Sequence, residues 1–250
     1  MTKLSSFGFG TAYLHHLSAS KQIEILNVAI DNGITHFDTA PFYGYGIAER
    51  ALSSISNKKN VTITSKFGLY PKGGSNQNKY EVVSRKLIGR LIPSINKEII
   101  DFSIASASKS LDETRRRVKR DYLDYFMLHE PNNFSGLEKP LEDWLNEQVK
   151  IGNILNYGLA GSLKGISLDS KNFYNNLQSS FEFNSINKDY FFKKFNTKTF
   201  FTYNWLKNLS PKDIRKKIIY IKSLSTKESY YNECFLFSTK NIERIKDYSI

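Results

Sequence analysis

A chain of 250 residues can bury one large core, and its 40% hydrophobic and 24% charged residues are a globular balance that excludes wholesale disorder. The formal charge of +12 would suit nucleic acid, but the basic residues are scattered, so no nucleic-acid partner is expected and the charge reads as attraction for a small anionic ligand. The single cysteine, Cys234 in the apolar run CFLF, excludes an intrachain disulfide and reads as a small core residue.

The N-terminus MTKLSSFGFG lacks the apolar region of a signal peptide, and no stretch has the length of a membrane helix, so a cytoplasmic protein with no membrane association is expected. Short apolar or alternating runs then recur with amphipathic segments between them. A first strand is expected around Phe7 to Thr11. Ser18 or Ser20 caps a helix whose Ile23, Leu26 and Ile30 share a face, and Gly33 ends it in a left-handed conformation. THFDTA follows as a strand, then a helix over about 47–57, then VTITSKFG, whose β-branched residues alternate. From Leu69 to about Ile100 the pattern weakens into an insertion, read as a loop through YPKGGSNQNK and expected to shape access to the site.

A helix over 104–119 places Ile104, Leu111 and Val118 at heptad spacing, and its Arg115, Arg116, Arg117, Lys119 and Arg120 read as a solvated face. The strand YLDYFMLHEP is closed by proline. Helix 140–151, strands NILNYGLAG and LQSSFEFN, helix 187–195, strand TFFTYN, helix 211–222, strand ECFLFS and helix 240–249 complete the chain. About eight such units predict an α/β fold: a closed (β/α)₈ TIM barrel forming a single domain over 1–250, with chemistry on the loops beyond the strand C-termini. An open doubly wound sheet ranks second, because FGFGTA has two glycines and no third.

Four polar residues fall at successive strand ends or in the loops that follow: Asp38, Tyr43, Lys66 and His129. In a barrel they converge on one mouth. A phenol near its ordinary pKa of about 10 is a poor acid at neutral pH, and an ammonium beside it favours phenolate. Lys66 is therefore expected to lower Tyr43, Asp38 to keep Lys66 charged and oriented, and His129 to donate to a substrate oxygen. Singly, each residue has a plain reading: a loop cap, a surface aromatic, a solvated lysine, a structural histidine. Their joint order favours the catalytic one. His15, His16 and His36 have no such company, and no His or Cys spacing suits a metal.

The blocks FDTAPFYGYGIAER, ITSKFG and DYLDYFMLHEP resemble the signature blocks of the aldo-keto reductases, in order and over nearly the whole chain. The resemblance implies a (β/α)₈ oxidoreductase passing hydride between NADPH and a small-molecule carbonyl, an aldehyde, a ketone or a sugar, with Asp38, Tyr43, Lys66 and His129 as catalytic residues. It implies that Gln178 holds the nicotinamide carboxamide and Tyr203 stacks on the ring. Ser238, Thr239, Lys240, Asn241 and Arg244 would surround the adenosine phosphates, Lys240 and Arg244 favouring NADPH while NADH stays possible.

Three departures stand out. Ala160 and Gly161 occupy the positions where the family has a Ser-Asn pair for the carboxamide, unless Ser162 substitutes. The chain enters its first strand without the family's small N-terminal hairpin, and it stops at the eighth helix without the usual tail, leaving a more open pocket walled by Tyr13, Phe42 and the 69–100 insertion. Monomer or weak dimer is expected. The alternative is a non-catalytic barrel that binds nicotinamide cofactor as a sensor or partner subunit.

Overall fold

Eight parallel strands close on themselves: β1 (Phe7–Gly10), β2 (His36–Asp38), β3 (Thr62–Phe67), β6 (Leu123–His129), β7 (Ile154–Ala160), β8 (Asn176–Ser180), β9 (Thr199–Tyr203) and β10 (Asn232–Phe237), with β10 pairing back to β1. The computed structural model describes residues 4–58, 60–75, 77, 80–81, 84, 98–131, 134, 138–164, 166, 168–224 and 232–249. Among them no helix is long and apolar enough to cross a membrane.

Strand alternation sorts the side chains. Phe126, Leu128, Phe200, Phe235 and Phe237 join the large outer cluster, while Tyr125, Met127, Phe201, Cys234 and Leu236 form a second cluster. The second set fills the barrel bore, so the interior is packed. Gly8 makes room there, since a Cβ on it would stand 2.6 Å from Leu236 and 2.9 Å from both Cys234 and His36. His36 stacks on Phe201 at 4.7 Å, bonds Thr62 Oγ1 at 2.9 Å, and is held down to a pKa of about 3 by burial and by Lys66. It is a neutral core histidine.

Helices start where serines cap them. The Oγ of Ser18, Ser103 and Ser180 accept from Lys21, Ser106 and Phe183 N–H ahead of helices Ala19–Asp31, Ile104–Val118 and Phe181–Phe195. The third cap corrects the reading of LQSSFEFN as all strand: the chain turns helical at Phe181, six residues earlier than 187. Gly33 is left-handed at φ +82°, as expected. The first helix buries Gln22, Ile25, Leu26 and Ala29, leaving Ile23 exposed. Between β7 and β8 stands a 3₁₀ turn, Lys171–Asn175.

The basic helix Ile104–Val118 is the larger correction. Its buried face is Ala107, Ser110, Leu111, Thr114, Arg117 and Val118, a helical period that places Arg117 inside, while Ile104 is exposed. Arg117 Nε donates to Glu49 at 2.5 Å, and Glu49, wholly buried, also accepts from Ser65 Oγ and Thr114 Oγ1. Arg120 pairs with Asp124 at 2.9 Å. Two of the five basic residues are structural ties.

Within the insertion, β4 (Leu69–Pro71) pairs antiparallel with β5 (Glu98–Ile100). Most residues between them lie outside those described. Tyr70 and Pro71 therefore belong to a strand, against the expectation of a loop: Leu69 and Tyr70 face Ile100 and Ile99 across the pair.

Candidate active site

Asp38, Lys66, His129, Gln178 and Tyr203 each lie on the inward face of a barrel strand, near its C-terminal end. Register ties them together: Asp38 faces Thr64, His129 faces Ala160, Ala160 faces Gln178, and Gln178 faces Phe201. They line a single cavity of about 540 Å³ together with Tyr43, Tyr13 and Ser238.

Tyr43 comes from the loop after β2, and the glycines of FYGYG make that loop possible. Gly44 and Gly46 are left-handed at φ +60° and +84°; a Cβ on Gly44 would stand 2.3 Å from His15 Cβ, and one on Gly46 would stand 1.9 Å from Ser75 O. Tyr43 N–H closes a turn on Ala40 O at 2.9 Å. The loop folds back, which is why a phenol and a carboxylate five positions apart meet over the same ammonium.

That ammonium is Lys66, 1% exposed. It donates to Asp38 Oδ1 at 2.7 Å, Asp38 Oδ2 at 2.9 Å, Thr39 O at 2.9 Å and Tyr43 OH at 3.3 Å. Burial works to lower Lys66, but Asp38 and Tyr43 outweigh it and raise the ammonium above its ordinary value. Burial also raises Asp38, with Lys66 pulling it back. The two-pronged contact makes the pair carboxylate and ammonium.

Tyr43 corrects an expectation. Its phenol is raised above its ordinary value, because burial outweighs the downward pull of Lys66 and Asp38 adds to the upward push. In this structure it is a protonated phenol held against a cation. His129 packs edge-on to Tyr43 with ring centroids 6.1 Å apart, and burial followed by Lys66 holds it to a pKa of about 3. It is a neutral imidazole. Nδ1 is enclosed with no partner among the described residues, so Nε2 is the nitrogen available to a ligand.

The cavity suits an amide-bearing aromatic ligand. Gln178 Oε1 is buried without a partner among the described residues, and Tyr203 is half-buried on the wall with its phenol raised to about 12 by burial, Glu130 and Tyr43. Ser238 reaches the same cavity and donates to Gly10 O at 2.8 Å. The structure does not bring Thr239, Lys240, Asn241 and Arg244 onto it. Lys240 and Asn241 border a separate hollow with Lys21. The expected helix 240–249 reduces to Glu243–Lys246, since the Asn241 side chain takes the Glu243 N–H and the Thr239 hydroxyl takes the Asn241 N–H.

Ser162 is exposed and off the cavity, with its N–H bound to Glu130, so it does not replace the missing polar pair. Phe42 is off the cavity too. Described residues of the insertion, Tyr70 and Pro71 among them, line another hollow against the helix Ile104–Val118. Of the expected walls, Tyr13 stands on this cavity, Phe42 does not, and most of the 69–100 insertion lies outside the described residues. Sequence reasoning passed over Glu130, which lines it directly after His129. A lone acid following a strand gives no signal by itself.

A profile of the Aldo/keto reductase family matches residues 6–168. The chain belongs to this family. Among curated aldo-keto reductase relatives and their kin, it is 24% identical over 191 residues to the D-threo-aldose 1-dehydrogenase of a Pseudomonas species, covering 66% of this chain and 55% of that protein. It is likewise 24% identical over 188 residues to the pyridoxal 4-dehydrogenase of Microbacterium luteolum, covering 62% and 52%. The matched region is thus about half the length of these two relatives. In fold it is similar to the glycerol dehydrogenase of Gluconobacter oxydans, with TM-score 0.68, 16% identity and coverage of 98% and 85%. It is similar also to an aldo-keto reductase of Klebsiella pneumoniae in complex with NADPH, with TM-score 0.65, 15% identity and coverage of 98% and 84%.

Proposed function

We propose that this aldo-keto reductase is an NADPH-dependent oxidoreductase that interconverts a carbonyl, an aldehyde, a ketone or a sugar, and its alcohol, with Tyr43 as the proton donor. The observation that carries the reading is Lys66, bound to both oxygens of Asp38 and 3.3 Å from the Tyr43 hydroxyl in a cavity shared with His129. NADPH, when bound, supplies the hydride. Gln178 would hold its carboxamide, Tyr203 its ring, and Ser238 the stretch leading away from the cavity.

Tyr43 gives its phenolic proton to the carbonyl oxygen, and Lys66 stabilises the phenolate left behind. Asp38 keeps Lys66 charged, and neutral His129 orients the oxygen through its free N–H. NADPH consumption with a panel of aldehydes and aldoses tests the reading. Binding without consumption would favour the non-catalytic alternative, whose support is the lack of polar side chains at Ala160 and Gly161.

The raised Tyr43 fixes the sign of the pH dependence. Reduction needs the phenol, which is present throughout neutral pH and is lost only as pH rises through a pKa above the ordinary 10.0. Oxidation needs phenolate, so kcat/KM for the alcohol is expected to climb steadily with alkalinity. A plateau already reached near neutrality contradicts this.

Lys240 and Arg244 are exposed, and they remain the cations we assign to the 2′-phosphate. Lys240→Ala combined with Arg244→Ala is expected to raise the Michaelis constant for NADPH by about tenfold or more, with little change for NADH. Equal effects on both cofactors refute the assignment.

A further inference from the structure

Glu130 sits in an unusual conformation. Its backbone is left-handed at φ +51°, immediately before Pro131, a conformation that costs a residue bearing a Cβ and persists only where the surroundings hold it. Two bonds do so: its N–H donates to Ala160 O at 2.8 Å, and its Oε2 accepts from Ser162 N–H at 2.9 Å. Gly161 makes the room. A Cβ there would stand 2.4 Å from the carboxyl carbon and 2.6 Å from each oxygen of Glu130. The backbone, the tether and the glycine together aim a half-buried carboxylate into the cavity beside His129, Gln178 and Tyr203.

The charges around the cavity make that carboxylate stand out. Asp38 is neutralised by Lys66 at 2.7 Å. Lys207 also borders the cavity but is exposed, and no ion pair among the described residues joins it to Glu130. The field of Glu130 reaches both phenols of the site, opposing ionisation of Tyr43 and of Tyr203. An aromatic ring held against Tyr203 would feel it too.

We infer that Glu130 sets the preference of the site between the two redox forms of its cofactor, favouring the oxidised nicotinamide, which carries a positive charge, over the neutral reduced one. The inference rests on the proposed use of a nicotinamide cofactor. A fixed anion beside the ring stabilises the form that gains charge. On the protein it draws hydride transfer toward the oxidised cofactor, the direction of carbonyl reduction, and it slows the departure of that cofactor afterwards.

The test is equilibrium binding, with no turnover involved. Dissociation constants for NADP⁺ and NADPH are measured by calorimetry or by fluorescence quenching on the wild type, Glu130→Gln and Glu130→Ala. Glu130→Gln keeps an oxygen for the Ser162 N–H and removes only the charge. It is expected to weaken NADP⁺ relative to NADPH by about tenfold, and Glu130→Ala to shift the ratio the same way. A merely structural role would weaken both forms alike. A wild type that binds both forms, with the ratio unmoved in the variants, overturns the role of Glu130 alone. A wild type that binds neither form overturns the cofactor reading and this inference with it.

Discussion

Tyr43→Phe is expected to slow carbonyl reduction by about 10²- to 10⁴-fold while leaving NADPH binding intact. The removed hydroxyl is the group we assign as acid, and neither of its polar neighbours His129 and Lys66 can take its place. His129 is held to a pKa of about 3, and Lys66 is committed to Asp38 and Thr39. The fold should tolerate the change. The Lys66 ammonium keeps three close acceptors at 2.7 to 2.9 Å after losing the one at 3.3 Å, so no buried charge is left without partners. Steady-state turnover beside a cofactor titration checks both halves. Turnover retained across a range of aldehydes would remove Tyr43 from the chemistry.

Glu49→Ala is expected to cost about 3–5 kcal/mol of stability, lowering the melting temperature by about 10 °C. Glu49 is wholly enclosed and accepts from Ser65 Oγ at 2.9 Å, Thr114 Oγ1 at 2.8 Å and Arg117 Nε at 2.5 Å. Its removal takes the enclosed carboxylate from a buried guanidinium, which among the described ion pairs keeps only that with the partly exposed Glu113 at 3.0 Å, and takes the acceptor from two hydroxyls. An apolar pair, Glu49→Met with Arg117→Met, should recover much of the loss, because it removes both charges together. The consequence extends to the site. Ser65 precedes Lys66 on β3, and Glu49 lies on the short helix Ile47–Leu52 that follows the Tyr43 loop, so this one carboxylate joins the elements that present the acid and its ammonium. Urea or thermal unfolding decides the matter. A loss below about 1 kcal/mol, the scale of an exposed ion pair, would show that Glu49 is not the tie described.

The mouth of the barrel was legible because its polar groups stand at strand ends, where alternation and chain order fix both face and depth. Asp38, Lys66 and His129 share the inward parity of His36, Thr64 and Met127, two positions earlier on their strands. What stayed hidden depends on partners remote in sequence. Arg117 looked solvated among its basic neighbours, although the spacing of Ala107, Ser110, Leu111, Thr114 and Val118 already put it on the inner face; its partner Glu49 lies 68 residues away. Ser180 could not be known as a cap until the strand was seen to end there, because Phe181 and Phe183 suit strand and helix alike. Glu130 needed the third dimension, since its carboxylate is placed by Gly161 and Ser162, just beyond the end of the neighbouring strand. The sign of the Tyr43 shift needed it as well: a nearby ammonium predicts a fall, and only the depth of burial reveals a net rise.

If the phenol over Lys66 delivers a proton during hydride transfer, the wild-type protein consumes NADPH only when a carbonyl is supplied. Across a panel of aldehydes, ketones and aldoses, oxidation of NADPH is expected with at least one of them, in proportion to the protein added. Saturable NADPH binding with no carbonyl-dependent oxidation anywhere on the panel would contradict it.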